Sequence, residues 1–271
     1  MAVGAACTVG EGGVIWWRLA AAAVVSLALQ VATNYANDYS DGVKGTDEVR
    51  VGPVRLVGSG LASAGAVKRA AFAAFGVAGL VGAALAVAVG PELFVVGALS
   101  MAAGWFYTGG PKPYGYYGFG ELFVFVFFGL VATVGTTYVL LERVTGLSVA
   151  ASVPVGLLAC GLLVINNLRD IPTDTVAGKK TLAVRLGDAR TRRLYMVMML
   201  GAAAVIVVIS FADRRVAVIV SAVLLVALAR IPIQLVRRGA TGRDLIPVLG
   251  ATGRTQLVGG VMFAAMLAAT G

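Results

Sequence analysis

Residues 33–41 read Thr33-Asn34-Tyr35-Ala36-Asn37-Asp38-Tyr39-Ser40-Asp41, and they end an apolar run abruptly with amides and carboxylates. On a continuing helix Asn34, Asp38 and Asp41 stand at i, i+4 and i+7 and share one face. The pattern returns as Asn166-Asn167-Leu168-Arg169-Asp170-Ile171-Pro172-Thr173-Asp174. There Asn166, Asp170 and Asp174 stand at i, i+4 and i+8, with Pro172 expected to disturb the last turn. Carboxylate and amide oxygens without His or Cys form a hard-ligand set. They suit Mg²⁺, which takes one or two carboxylates and completes its shell with phosphate oxygens. Two such clusters could each hold an ion bridging to one diphosphate. In the loops nearby, Arg55, Lys112, Lys179, Lys180 and Arg185 supply cations for phosphate oxygens. The plainer reading is that Asn and Asp simply end helices at a solvated interface. Repetition of the cluster, at the same depth and facing inward from two helices, favours a functional site, as does the position of carboxylates beside hydrocarbon.

A third stretch, Trp105 to Tyr117, holds Tyr107, Tyr114, Tyr116 and Tyr117 around Gly109-Gly110-Pro111-Lys112-Pro113, and leads to Glu121 and Phe123. Read plainly, it is an interfacial aromatic belt. Read functionally, Tyr107, Tyr114, Tyr117 and Phe123 line a channel for an apolar chain, where ring faces stabilise a carbocation without trapping it.

Something has to hold these groups, and the composition says what. Of 271 residues, 59% are hydrophobic and only 13% charged, against about 25% charged in a soluble domain. Apolar segments at 15–36, 66–89, 92–108, 119–140, 148–168, 193–212, 215–236 and 254–270 are continuous rather than alternating. Most have the roughly 20 residues a bilayer-crossing helix needs. In lipid every backbone polar group must be satisfied internally, so these segments are helices. Residues 1–9 are apolar but too short to span, lack the basic start of a signal peptide, and read as the end of a ninth helix. No linker divides the chain, so residues 1–271 read as one all-α, polytopic transmembrane bundle of eight complete spans and a shortened first helix.

Connections then alternate between two membrane faces, and 18 of the 22 Lys and Arg residues fall on the face that carries both Asn/Asp clusters. By the positive-inside rule that face is cytoplasmic, which makes this a multi-pass plasma-membrane protein with its site facing the cytoplasm. The net charge of +9 can therefore meet anionic lipid or an anionic substrate. Nucleic acid is excluded as a partner, because the basic residues are scattered over loops between spans. The absence of His rules out a His general base and His-ligated zinc or haem. Cys7 and Cys160 sit in apolar stretches without metal-ligand spacing and read as packing residues.

These motifs resemble the UbiA superfamily of membrane prenyltransferases. The resemblance is carried by Asn37-Asp38-x-x-Asp41 with Asp47 beyond it, and by Asn166-x-x-x-Asp170-x-x-x-Asp174. The wording of Asn34 to Asp41, Gly45-Thr46-Asp47, Arg50 to Gly58, Asn167 to Asp174 and Gly178 to Gly187 is similar to the branch that prenylates 1,4-dihydroxy-2-naphthoate. The resemblance implies a nine-helix fold and Mg²⁺-dependent transfer from a polyprenyl diphosphate to that acceptor. CO₂ and diphosphate would leave and demethylmenaquinone would form on the route to menaquinone. It implies a first metal site at Asn34, Asp38, Asp41 and Asp47 and a second at Asn166, Asp170 and Asp174. Asp47 or Asp174 would take a proton from the acceptor hydroxyl. Members begin with a complete first helix, of which residues 1–9 match only the end. Another aromatic or lipid acceptor is an alternative within the superfamily. A cation-coupled transporter is an alternative outside it, although transporter sites lie near the bilayer midplane and these clusters lie at segment ends. A lipid-binding protein without catalysis would have no use for two metal clusters.

Overall fold

A computed structural model describes residues 1–46, 52 and 54–271. Among the described residues every regular element is helical: α1 (Ala2–Ala6), α2 (Trp16–Val43), α3 (Ala64–Val89), α4 (Glu92–Phe106), α5 (Gly120–Val124), α6 (Ala132–Leu141), α7 (Gly146–Val176), α8 (Leu182–Leu186), α9 (Asp188–Ala212), α10 (Ile219–Arg237) and α11 (Leu245–Ala269). A π-helical stretch, Phe125–Val131, joins α5 to α6, so Gly120–Leu141 runs as one 22-residue rod. Six helices are long and apolar enough to cross a membrane, and the chain is a multi-pass membrane protein. The eight expected segments all appear as helices, with two qualifications. α4 has 15 residues, about 22 Å at 1.5 Å per residue, which is short of a ~30 Å core. α11 has 25 residues but carries Arg254 and Gln256 within it.

The two helices that bear the clusters overshoot their apolar segments. α2 continues through Asp41 to Val43 and α7 through Asp174 to Val176. Pro172 lies inside α7 without ending it, a departure from the disturbed turn expected. Proline removes one backbone donor near the end of the rod, and the turns on either side retain theirs. α7 begins with a capping box in which Thr145 Oγ1 accepts from the Ser148 backbone N–H at 3.1 Å and Ser148 Oγ accepts from Thr145 N–H at 3.3 Å.

Packing divides the molecule unequally. The larger core joins α7, α9, α10 and α11 through Val164, Ile165, Tyr195, Met199, Leu225 and Val248, all fully buried. Inside it the Tyr195 hydroxyl and Thr252 Oγ1 are 2.7 Å apart, which satisfies two polar groups that lipid could not. The smaller core is Ala32 and Ala36 of α2 against Ala71 and Phe75 of α3, where small side chains let two backbones come close. Between these halves the π stretch meets α7 at Gly129 and Gly156. A Cβ on Gly129 would stand 2.6 Å from the Gly156 Cα, so only glycine fits there. Across the opening between the halves, Gly97 and Gly135 line the wall with open space where a Cβ would be.

Candidate active site

A cavity of about 870 Å³ lies between the halves. Its wide end receives both clusters: Asn34, Asn37 and Asp41 from α2, and Asn166, Asn167, Asp170 and Asp174 from α7. Arg55 and Lys179 line the same end. The remaining wall is apolar, with Leu29, Met101, Phe127, Val131 and Leu162 among its residues. Phe94 and Phe128 line the cavity and are also exposed at the protein surface, so it reaches the outside of the bundle.

The α2 carboxylates are held by residues far away in sequence. Asp38 is buried, and its two oxygens accept from the backbone N–H groups of Leu56 and Val57 at 2.8 and 3.0 Å. This carboxylate therefore ties the loop before α3 over the end of α2 and does not line the cavity. Asp41, also buried, accepts from the Tyr116 hydroxyl at 2.5 Å and pairs with Lys179 Nζ at 3.3 Å. Two ammonium groups stand over the Tyr116 ring, Lys44 at 4.9 Å and Lys179 at 4.7 Å from its centroid. Cations over a ring face are attracted by its quadrupole, so the ring helps to hold both ammonium groups beside Asp41. Lys44 also donates to the carbonyl of Thr108 at 2.6 Å, while Thr108 Oγ1 donates to Asn37 Oδ1 at 2.8 Å. Burial pulls the Lys44 ammonium below the usual lysine range; Asp41 raises it again and Lys179 lowers it.

The α7 carboxylates are held closer to home. Arg169, fully buried at its side chain, donates from Nε and a terminal nitrogen to both oxygens of Asp170, each at 2.7 Å. Asn167 Nδ2 donates to Glu121 Oε1 at 2.9 Å. After α7, Gly178 adopts φ +71°, a left-handed turn that glycine makes without strain. It returns the chain so that the Lys179 backbone N–H donates to the Asp174 carbonyl at 2.8 Å and the Lys180 N–H to the Tyr116 carbonyl at 2.8 Å. One turn thereby carries Lys179 back between the two clusters.

Below the clusters three rings named from the sequence come together. Tyr107 meets Tyr114 edge-on at 5.5 Å, Tyr114 stacks on Phe123 at 3.9 Å, and Phe123 continues to Phe127 at 6.1 Å. The Tyr114 hydroxyl donates to the Ala103 carbonyl at 2.8 Å, and its burial pushes the phenol well above its ordinary range.

Other expectations land elsewhere. Lys112, Lys180, Arg185 and Tyr117 are exposed and do not line the cavity. Lys180 and Tyr117 instead border a second pocket of about 310 Å³ with Lys44 and Tyr116. Arg185 donates to the Lys180 carbonyl at 3.0 Å. Asp47 lies outside the described residues. Among the described residues no three acidic side chains gather closely enough to hold one ion. The carboxylates facing the cavity are thus one from α2, Asp41, and two from α7, Asp170 and Asp174, each set beside amides. One or two carboxylates per ion is the donor set Mg²⁺ favours when phosphate completes its shell. Tyr116, Lys44, Arg169 and Glu121 are part of the constellation that spacing did not single out. Their only signal is an aromatic or charge beside an apolar segment end.

A model of the UbiA prenyltransferase family matches residues 1–247. The chain is 50% identical over 254 residues to the 1,4-dihydroxy-2-naphthoate octaprenyltransferase of Mycobacterium tuberculosis, covering 94% of this chain and 86% of the relative. It is 48% identical over 257 residues to the protein of the same name from Mycobacterium leprae, covering 95% and 86%. In backbone it is similar to a UbiA homologue from Archaeoglobus fulgidus bound to GPP and Mg²⁺. The TM-score is 0.68 at 14% identity, over 99% of this chain and 93% of that one.

Proposed function

The chain belongs to the UbiA prenyltransferase family, and from that premise we propose that it transfers a polyprenyl group from a polyprenyl diphosphate to 1,4-dihydroxy-2-naphthoate. The allylic C–O bond breaks with its electron pair leaving on diphosphate. A new C–C bond forms at the ring carbon that bears the carboxylate, and the carboxyl group leaves as CO₂, returning its bonding pair to the ring. The product is the hydroquinone form of demethylmenaquinone, an intermediate of menaquinone biosynthesis. The relatives of that name at about half identity support the choice of acceptor. The observation that carries the chemistry is the convergence of two Asn/Asp stripes, from α2 and α7, on one cavity with an aromatic ladder beneath them.

Each residue has a task that its surroundings suit. Asn34 and Asp41 from α2, and Asn166, Asp170 and Asp174 from α7, provide hard oxygens that fit Mg²⁺. Bound there, the ion would neutralise charge on the departing diphosphate. Lys179 and Arg55 line the same end and meet phosphate oxygens directly. Charge that grows in the transition state is what such fixed cations stabilise. Asp38 serves the first stripe by holding Leu56 and Val57 in place. Tyr107, Tyr114 and Phe123 offer ring faces to the allylic cation and exclude water from it. Asp174, on the cavity wall, is placed to accept a proton from the acceptor hydroxyl as the C–C bond forms and to return it to the ring oxygen as CO₂ leaves. The 18-to-4 division of basic residues supports a plasma-membrane protein with this end of the bundle toward the cytoplasm.

The test is a transfer assay on membranes with labelled polyprenyl diphosphate, Mg²⁺ and a panel of aromatic acids. Prenylated product with 1,4-dihydroxy-2-naphthoate, with one CO₂ released per transfer, is the expected result. Transfer to 4-hydroxybenzoate with retention of its carboxylate would reassign the acceptor.

A further inference from the structure

Glu121 is a buried carboxylate for which the reaction as described has no use. It lies in the first turn of α5, is 6% exposed, and takes part in no ion pair of the described residues. An acidic group kept at the edge of hydrocarbon without a cation is costly, so something must account for its retention. Its Oε1 accepts from Asn167 Nδ2 at 2.9 Å, while its Oε2 is buried with no hydrogen-bond partner. The backbone at this point is also tied across: Cys160 Sγ donates to the Glu121 carbonyl at 3.1 Å, joining α5 to α7 about two turns before the second stripe. The carboxylate is thus fixed relative to Asn167 by two separate contacts between the same helices.

Asn167 lines the cavity, and the helix sets its direction. α7 is continuous through this region. At about 100° per residue, Asn167 lies about 60° from Asp170 and about 20° from Asp174 around the axis. Asn166 lies about 40° and about 80° from the same two carboxylates. Asn167 therefore belongs to the stripe at least as well as Asn166, and it is nearer to Asp174. A carboxylate can only accept, so it selects the nitrogen end of the amide and leaves Oδ1 without a competing contact from Glu121. We infer that Glu121 is a positioning residue: it holds the Asn167 amide with its oxygen turned to the cavity, where that oxygen joins Asp170, about one turn further on, in binding the divalent cation. This rests on the Mg²⁺–diphosphate reading of the cavity above. The arrangement is that of an outer partner orienting a metal-binding group, and removing such a partner ordinarily costs about 10- to 100-fold in metal affinity.

The experiment measures metal affinity directly, on purified full-length protein with inorganic diphosphate present. Mn²⁺ is the probe, followed by its electron paramagnetic resonance signal, and prenyl transfer is measured in parallel. Glu121→Leu removes the acceptor and should weaken Mn²⁺ binding about 10- to 100-fold. Glu121→Gln keeps one acceptor but allows the Asn167 amide either orientation, so its loss should be smaller. Asn167→Ala should match Glu121→Leu, and the double variant should bind no worse than Asn167→Ala alone, because the two act through one group. Additive losses in the double variant, or wild-type affinity in Glu121→Leu, would overturn the inference. If Glu121→Leu does not yield monodisperse protein, the cycle of Glu121→Gln with Asn167→Ala decides the same question. Wild-type protein that binds Mn²⁺ and shows the coupling, yet prenylates no aromatic acid, would remove the proposed reaction and leave the Glu121–Asn167 coupling standing.

Discussion

The stripe at the end of α2 and the stripe at the end of α7 look alike in sequence and are built by opposite means. On α7 the supporting contacts are local or come from one packed neighbour: Arg169 grips Asp170 from the adjacent position, and Asn167 is held by Glu121 of α5. That helix is also the spine of the larger core. On α2 the carboxylates depend on chain that arrives from elsewhere. Asp38 needs Leu56 and Val57; Asp41 needs Tyr116 and Lys179. The helix itself rests on the smaller core of Ala32, Ala36, Ala71 and Phe75. One half of the site is thus supported by the helix that carries it and one packed neighbour, and the other is assembled from three loops that meet over it. Substitutions in those loops should damage the α2 stripe and spare the α7 stripe, whose distant support comes from Glu121 of α5.

The largest effects should come from the carboxylates on the cavity wall, and they should differ in kind. Asp41→Asn and Asp170→Asn should each reduce transfer by about 100-fold or more, the scale of losing a fixed electrostatic contact in a transition state. Both variants strand a buried cation, and Asp170→Asn should lower the unfolding temperature more, because fully buried Arg169 loses two bonds of 2.7 Å, about 3–5 kcal/mol, where Lys179 loses one contact of 3.3 Å. Full activity in both variants would end the two-stripe mechanism. Equal unfolding temperatures would end the contrast drawn between the stripes. Next is Asp38→Asn, which sets an amide NH₂ against a backbone N–H at Leu56 or Val57 and should cost about 1–3 kcal/mol. Limited proteolysis between residues 54 and 62 should accelerate, while the helix around Asp170 stays protected; unchanged cleavage would show that Asp38 does not hold that segment. A smaller effect is expected from Tyr116→Phe, which removes a charge-assisted bond worth about 1.5–3 kcal/mol. Transfer should fall about tenfold, chiefly through a higher KM for the prenyl diphosphate, and the unfolding temperature should fall by several degrees. Smallest is Arg237→Gln, at an exposed position beyond α10's packed face, where activity should stay within about twofold because surface charges contribute little.

The same contrast explains what could be read in advance. Helices and clusters follow from composition and from spacing along one element, which a sequence displays directly. Of the four rings named from the belt, Tyr107, Tyr114 and Phe123 line the cavity and Tyr117 faces outward, because ring type records the belt but not the direction each ring takes. Tyr116 and Lys44 were not identifiable, since their partners lie 75 and 64 positions away and nothing local records the meeting. Lys179 and Lys180 make the point most sharply. Adjacent and chemically identical, they part because the Gly178 turn sends the first between the stripes and the second to the surface. Residue type told that the loop was basic, and only the backbone told which ammonium faces inward. Arg169 reads in sequence as one more positive-inside anchor, yet its side chain has no exposure at all.

The contact of Gly129 with Gly156 and the open wall at Gly97 and Gly135 together make the cavity unusually suitable for re-dimensioning. Where the π stretch crosses α7, backbone touches backbone, so the spacing of those two helices is a fixed gauge that no rotamer change can alter. At Gly97 and Gly135, which line the cavity, a Cβ meets no atom within 4 Å, so a series of Ala, Val and Phe replacements would serve as graduated stops. An enzyme fitted with such stops would report, through the longest isoprenoid it still turns over, how far down the chamber each carbon of the tail reaches.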